Sequence, residues 1–161
     1  MEYQVAVHEL QAQPIVSIRG RHAQAEIPAF LGRSFGLLFG HLRLLGVEPA
    51  GPPFVIYHAF GPAGMDAEVC VPVEKPVSAT GGVQARILPA VTVARTLHVG
   101  PYEALGTAYD AVTDWIRGRG FELAGPMRER YLNGPGDNVT PADYQTEVEV
   151  PVVAAVASVS S

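Results

Sequence analysis

The 161-residue chain has little of several things that would define a protein class. It has one cysteine, Cys70, so neither an intramolecular disulfide nor a cysteine-based zinc site can form within it, which fits a reducing compartment. Its longest apolar run, residues 29–46, is interrupted by Arg33, His41 and Arg43 and falls short of a membrane span. The N-terminal residues also lack the pattern of a signal peptide. We therefore expect a cytoplasmic protein.

Basic residues are also scarce, with 11 lysines and arginines against 16 acidic residues and a net charge of −5. Nucleic acid is a polyanion, so this balance argues against direct nucleic-acid binding. The five histidines form no metal-binding pair and no phosphate-binding loop is present, so we expect neither a metal nor a cofactor. Apolar residues make up 48% of the chain, which favours one folded domain over residues 1–161.

The chain contains an internal repeat. The segment AEVCVPV at 67–73 matches TEVEVPV at 146–152, with five of seven residues identical and 79 residues between them. Upstream, residues 46–58 align with 120–132 at a spacing of 74 residues, with the glycine, glutamate, AGP and tyrosine shared. We predict one repeat at about 3–76, a connector at about 74–82 and a second repeat at about 83–155.

Each copy has the pattern of a strand, a helix and two more strands. Apolar residues at helical spacing predict helices at about 27–45 and 102–119, which end at Gly46 and Gly120. Alternating and apolar runs predict six strands, with one more ahead of each copy, at 14–20, 54–60, 67–73, 91–99, 128–134, 146–152, 3–11 and 83–89. The fold class is α+β, with a mixed sheet, two long helices on one face and a ligand groove near a pseudo-two-fold axis.

Two segments, residues 98–135 and 146–152, carry a family resemblance, which the first copy supports. They resemble the GyrI-like small-molecule-binding domains of the SOUL/GyrI-type fold, which also form the effector-binding half of bacterial multidrug-sensing transcription activators. The resemblance implies an aromatic groove in which a buried glutamate pairs with a lipophilic cation. Some such proteins stand alone, and bind drugs or dyes, inhibit gyrase or hydrolyse cyclopropane-containing toxins. We expect a standalone member, or a fragment of a longer regulator.

Glutamates of the last strand are the candidate groove carboxylates. The family glutamate falls on Glu147, and a period of two places Glu147 and Glu149 on one face of the strand with Val148 and Val150 on the other. A carboxylate in an apolar groove favours an incoming cation. Glu68 is the repeat mate of Glu147. The alternative is that these glutamates are exposed on a half-buried strand.

Aromatic residues are the candidate groove walls. Tyr57 and Tyr131 occupy matching positions on the two middle strands, and Glu129 shares the face of Tyr131. A tyrosine ring can hold a cation over its face, although it can also simply pack in the core. The other candidates are Tyr102, Trp115, Phe60 and Tyr144.

The sequence leaves three functions open. The first is binding of a small aromatic ligand, including a cationic drug or toxin, without a membrane or direct nucleic-acid role. The second is hydrolysis of a strained-ring or toxin-like molecule, with Glu147 as general base and Tyr131 handling a proton. The third is a gyrase-inhibitor type of protein interaction, with gyrase or a DNA-binding regulator as partner.

Overall fold

A computed structural model describes residues 3–154, which form nine strands and two α-helices. The helices are α1 (Ile27–Leu45) and α2 (Leu105–Gly118). The strands in chain order are β1 (Val5–Leu10), β2 (Gln13–His22), β3 (Phe54–Gly61), β4 (Gly64–Pro72), β5 (Gln84–Leu88), β6 (Val91–Val99), β7 (Phe121–Leu123), β8 (Met127–Tyr131) and β9 (Gln145–Ala154).

Local residues set where the two helices begin and end. Helix α1 has the predicted bounds, and Gly46 follows it in the left-handed conformation at φ 68°, as an αL cap prefers. Helix α2 is shorter than predicted, because residues 102–104 form a separate 3₁₀ turn after Pro101. Gly120, also at positive φ, lies two residues beyond the end of α2.

The strands form an antiparallel sheet in the order β1-β6-β9-β8-β3-β4-β2-β5, with β7 paired to β9. The sequence predicts a mixed sheet, and this detail is wrong for the described strands. The physical reason is that β4 lies between β2 and β3, which run parallel to each other, and β9 lies likewise between β6 and β8. Each helix therefore connects two parallel strands that are not neighbours, because an antiparallel strand lies between them.

The two predicted repeats are confirmed as two strand-helix-strand-strand halves that meet at the β3–β8 pair. In that pair Val55 lies directly opposite Glu129, its own mate at a spacing of 74 residues. The pseudo-two-fold axis therefore passes between these two residues. The halves also exchange their outer strands, since β1 pairs with β6 and β5 pairs with β2.

Both helices pack on one face of the sheet, as predicted. Helix α1 covers β2, β3 and β4 through a core that includes Leu38, Leu42 and Val69. Helix α2 covers β6 and β9 through a core that includes Val112 and Val148. The other face of the sheet carries a smaller apolar cluster together with buried charged residues. We call these the helix face and the open face.

Two adjacent leucines of α1 test this packing. Leu38 is fully buried, whereas Leu37 is 57% exposed. We expect Leu38→Ala to lower the free energy of unfolding by about 2–5 kcal/mol, because it leaves a cavity in the first core. The matched change Leu37→Ala should stay within about 0.5 kcal/mol of wild type. Chemical denaturation measures both, and equal effects would contradict the packing described.

Candidate functional site

The candidate site is centred on Glu129, which β8 directs to the helix face. Glu129 lies opposite Val148 of β9 and Val55 of β3, and both valines belong to the helix-face cores. Side chains alternate along a strand, so Tyr131 shares the face of Glu129 while Arg128 and Arg130 lie on the open face. A carboxylate is thereby placed on the pseudo-two-fold axis, between the two helix-packed cores.

Two tyrosine hydroxyls donate hydrogen bonds to the partly buried Glu129 carboxylate. The Tyr131 hydroxyl lies 2.8 Å from Oε1, and the Tyr109 hydroxyl of α2 donates to Oε2. Burial raises the pKa of the Glu129 carboxyl above its ordinary value, and the two hydrogen bonds act in the opposite direction. Among residues 3–154, no lysine or arginine forms an ion pair with this carboxylate.

The tyrosines around Glu129 stay protonated at neutral pH. Burial is the main cause that raises the pKa of Tyr57, Tyr109 and Tyr131, and the negative charge of Glu129 raises each further. Burial also raises the pKa of Tyr102 to about 12. These hydroxyls therefore act as neutral donors toward the carboxylate.

Aromatic rings extend the site away from Glu129. The Tyr102 ring contacts Tyr131 edge-on at 5.8 Å between centroids and stacks on Tyr144 at 5.0 Å. Phe35 of α1 meets the other side of Tyr131 edge-on at 6.2 Å. We call Glu129 together with Tyr57, Tyr102, Tyr109, Tyr131 and Tyr144 the tyrosine cluster.

The repeat explains how this arrangement arises. Tyr57 and Tyr131 are repeat mates and lie two residues beyond the axis on their own strands. Two other mates differ: position 129 is glutamate where the first copy has Val55, and position 109 is tyrosine where it has Phe35. The second copy therefore supplies the carboxylate and its α2 hydrogen-bond donor to a frame that is apolar in the first copy.

The structure brings together four of the residues that the sequence singled out, Tyr57, Tyr102, Tyr131 and Tyr144. It places Glu147 elsewhere. Glu147 lies on the open face, 20% exposed in its side chain, with Oε2 3.6 Å from the Arg95 Nε. The prediction that Glu147 lines one groove with the tyrosines, or works with Tyr131 in catalysis, is therefore wrong.

The error has a simple physical origin. The valines of β9 do face the helices, as the period of two predicts, and the glutamates do face the other way. However, the tyrosines lie on the valine side, because Tyr131 pairs with Thr146 and Tyr57 pairs with Ala67.

The other two candidate carboxylates are satisfied by ion pairs on the open face. Glu68 accepts hydrogen bonds from Ser17, His58 and Arg86, and these partners hold its pKa at about 2 against the opposing effect of burial. Glu149 is fully buried. The guanidinium groups of Arg95 and Arg130 contact it and hold its pKa below the ordinary value despite burial. Both glutamates lie away from the tyrosine cluster.

Two aromatic candidates also lie outside the cluster. Trp115 stacks on Phe121 at 5.8 Å between centroids, with the Arg119 guanidinium 5.3 Å from its ring centroid. Phe60 is exposed, beyond a bulge at His58. Trp115 therefore packs in the second half, and Phe60 lies near the exposed end of β3.

Sequence reasoning missed Glu129 and Tyr109 as site residues. The shared face of Glu129 and Tyr131 was the available signal for the first. For Tyr109, the signal was its alignment with Phe35 across the repeat, on a helix face that otherwise reads as core. The strand register and the placement of α2 are needed to show that Glu129 and Tyr109 lie beside the other tyrosines.

Two cavities of the described structure, of about 690 and 340 Å³, are lined by other residues. The larger lies between α1 and the connector around Gly81, and the smaller lies on the open face. The tyrosine cluster lines neither of these cavities. A ligand that contacts the Glu129 carboxylate would share it with the hydroxyls of Tyr109 and Tyr131 or displace one of them.

Two further observations concern residues 3–154 as a group. None of their helices combines the length and hydropathy that a bilayer crossing requires. Nor do these residues contain three or more His, Cys, Asp or Glu side chains grouped so that they could hold a metal ion.

The chain belongs to the family of GyrI-like small molecule binding domains, whose family model matches residues 3–153. It is thus a small-molecule-binding domain. No curated protein matches the sequence.

Solved structures share this fold. The C-terminal domain of EcmrR superposes with a TM-score of 0.80 at 24% identity, over 96% of this chain and 99% of that domain. EcmrR in complex with DNA gives 0.84 at 25% identity, over 94% of this chain, which spans 58% of the EcmrR chain. SAV2435 bound to tetraphenylphosphonium gives 0.65 at 18% identity, over 95% and 94% of the two chains. A hydrolase from Listeria innocua gives 0.68 at 12% identity, over 93% and 92%.

The raised pKa of Glu129 leads to a stability prediction. Because the folded protein holds this proton more tightly than the unfolded chain, wild-type stability falls as pH rises from the ordinary value of 4.5 through the raised pKa. Glu129→Gln removes this loss, so we expect its free energy of unfolding to exceed that of wild type at neutral pH. Denaturant titrations between about pH 4 and pH 8 measure the difference.

The matched control is Glu122→Gln, which removes an exposed carboxylate on β7. It should leave the difference from wild type small at every pH. If the free energy of unfolding of Glu129→Gln falls between about pH 4 and pH 7 by as much as that of wild type, Glu129 is not the cause of the pH dependence.

Proposed function

We propose that the tyrosine cluster binds a small aromatic cation, with the Glu129 carboxylate as its counter-ion. The observation that carries this proposal is a partly buried carboxylate on the pseudo-two-fold axis. It is held by two tyrosine hydroxyls, and residues 3–154 pair it with no basic side chain.

The energetics favour a cation at this position. Desolvation of a carboxylate is costly, and hydrogen bonds from neutral hydroxyls offset only part of that cost. A ligand cation at about 4 Å would gain roughly 4 kcal/mol at an effective dielectric constant near 20, before its own desolvation. Tyrosine ring faces add cation–π attraction.

The aromatic surroundings favour a ligand with a broad apolar body. Tyr102, Tyr144 and Phe35 present rings around Tyr131, and ring pairs of this kind accept flat partners by offset or edge contacts. SAV2435, which has the same fold, is bound to tetraphenylphosphonium in its structure. That cation is therefore a suitable first probe for this chain.

Binding of tetraphenylphosphonium separates the two candidate glutamates. We expect calorimetric titration to show binding to wild type and a loss of about tenfold or more in affinity for Glu129→Gln, because the counter-ion is removed. Glu147→Gln is the matched control and should bind like wild type, since Glu147 lies on the open face. Equal binding by Glu129→Gln, or a loss confined to Glu147→Gln, would contradict the proposal.

The same titration has a predicted pH dependence. Only the ionised carboxylate attracts the cation, so affinity should fall as pH decreases through the raised pKa of Glu129. The Glu129→Gln protein should bind weakly at every pH. A wild-type affinity that does not change with pH would mean that Glu129 is not the counter-ion.

Hydrolysis is a second candidate, and one observation favours it. A carboxylate whose pKa burial raises, held by the Tyr131 hydroxyl, has the composition of a general base with an adjacent proton donor. Glu129 would take a proton from water as the oxygen attacks an electrophilic carbon, and Tyr131 would give a proton to the leaving group. This moves the catalytic assignment from Glu147 to Glu129.

Mass spectrometry of a cyclopropane-containing substrate after incubation distinguishes the two functions. If the site is catalytic, we expect a product heavier by one water, lost in Glu129→Gln and reduced in Tyr131→Phe. If the site only binds, the molecule is recovered intact from wild type. A product that forms equally with Glu129→Gln would exclude this residue as the base.

A further inference from the structure

The open face contains a cavity of about 340 Å³ that the tyrosine cluster does not share. Its rim is made by the β1–β2 turn, the loop ahead of β3 and the β5–β6 turn. Three arginines line it, Arg95 from β6 and Arg128 and Arg130 from β8. The cavity therefore carries three positively charged side chains in a protein whose net charge is −5.

Two of these arginines already have a partner. Glu149, which is fully buried, accepts hydrogen bonds from Arg95 at 2.6 Å and from Arg130 at 3.0 Å. Glu147 lies farther away, 3.6 Å from the Arg95 Nε. These two glutamates pair with Arg95 and Arg130, whereas no carboxylate among residues 3–154 forms an ion pair with the third arginine, the exposed Glu9 at the rim included.

Arg128 is that third arginine. Only 9% of it is exposed, and its Nε has no hydrogen-bond partner among residues 3–154. Burial lowers the pKa of Arg128, and the neighbouring Arg130 lowers it further, although Glu149 opposes both. A buried charged group without a hydrogen-bonded partner destabilises a fold, so an arginine that persists there is suited to an anion that arrives from outside.

The remaining walls indicate what kind of anion fits. Phe54, Pro72 and Leu88 supply apolar surface, and the Arg130 guanidinium lies over the Phe54 ring at 4.3 Å from its centroid. Glu9 at the rim disfavours a multiply charged anion. A planar guanidinium fork that no carboxylate engages, set beside apolar walls, matches a carboxylate that carries an apolar body.

We propose that this open-face cavity binds a small organic monocarboxylate whose two oxygens accept hydrogen bonds from Arg128. The site is separate from the tyrosine cluster, because Arg128 and Glu129 are adjacent on β8 and point to opposite faces of the sheet. The proposal for this cavity is independent of whether the tyrosine cluster binds a cation.

Benzoate tests the proposal, with benzamide as its neutral analogue of the same shape and inorganic phosphate as a bare oxyanion. We expect calorimetric titration of wild type to show benzoate binding and no comparable binding of benzamide or phosphate. Arg128→Gln should weaken benzoate by about tenfold to a hundredfold, the loss of a charge-assisted pair. Arg117→Gln, an exposed arginine on α2, removes the same charge and should bind as wild type does.

Two further variants keep the result interpretable. Arg128→Lys retains the charge without the fork, so it should bind benzoate more weakly than wild type but better than Arg128→Gln. Glu129→Gln should bind benzoate like wild type, since it alters the other face. Thermal unfolding without benzoate should show Arg128→Gln at least as stable as wild type, because a buried charge without a hydrogen-bonded partner has been removed.

Several outcomes would overturn the proposal. Wild type that does not bind benzoate, or that binds benzamide equally well, would exclude carboxylate recognition. Equal benzoate binding by Arg128→Gln would place the anion elsewhere. Binding of phosphate in preference to benzoate would replace an organic carboxylate with an inorganic oxyanion. A marked loss of stability in both Arg128 variants would show that the arginine serves the fold rather than a ligand.

Discussion

The register of the β3–β8 pair is the constraint on which the rest of this molecule depends. It joins two halves that each have their own helix and their own core, and it sets Val55 opposite Glu129 on the pseudo-two-fold axis. A slip of one residue would turn every side chain of β8 to the other face. The exchanged outer strands, β1 on the second half and β5 on the first, brace this register from both edges of the sheet.

Duplication explains why a carboxylate can occupy such a position. In the first copy the axis residue is Val55 and the helix residue above the sheet is Phe35, so the ancestral frame at these positions is compatible with an apolar core. In the second copy Glu129 and Tyr109 replace them, and the tyrosine donates to the carboxylate. The change introduces a buried acid together with its hydrogen-bond donor. This accords with the general trade between stability and function at binding sites.

The sequence predicts the elements well and the site only in part. Helical periodicity and Gly46 predict both ends of α1, and alternation predicts that Val148 faces the helices. Those signals are local, and strand alternation assigns faces within one strand only. Whether Tyr131 shares a face with Val148 or with Glu147 depends on the β8–β9 register, which no local pattern contains. The glutamate that lies beside Tyr131, Glu129, is on the same strand as the tyrosine, where alternation alone relates the two.

Strand β8 separates charge by the same alternation. Its sequence R-E-R puts Glu129 among tyrosines on the helix face and both arginines on the open face, where Glu149 accepts hydrogen bonds from Arg130 but not from Arg128. Reversing the faces would bury two guanidinium groups among rings that have no carboxylate to match them, and would leave Glu149 facing another carboxylate. Electrostatics therefore reinforces the register that hydrophobic packing selects. The two faces of one strand can then evolve different ligand preferences, because neither set of side chains contacts the other.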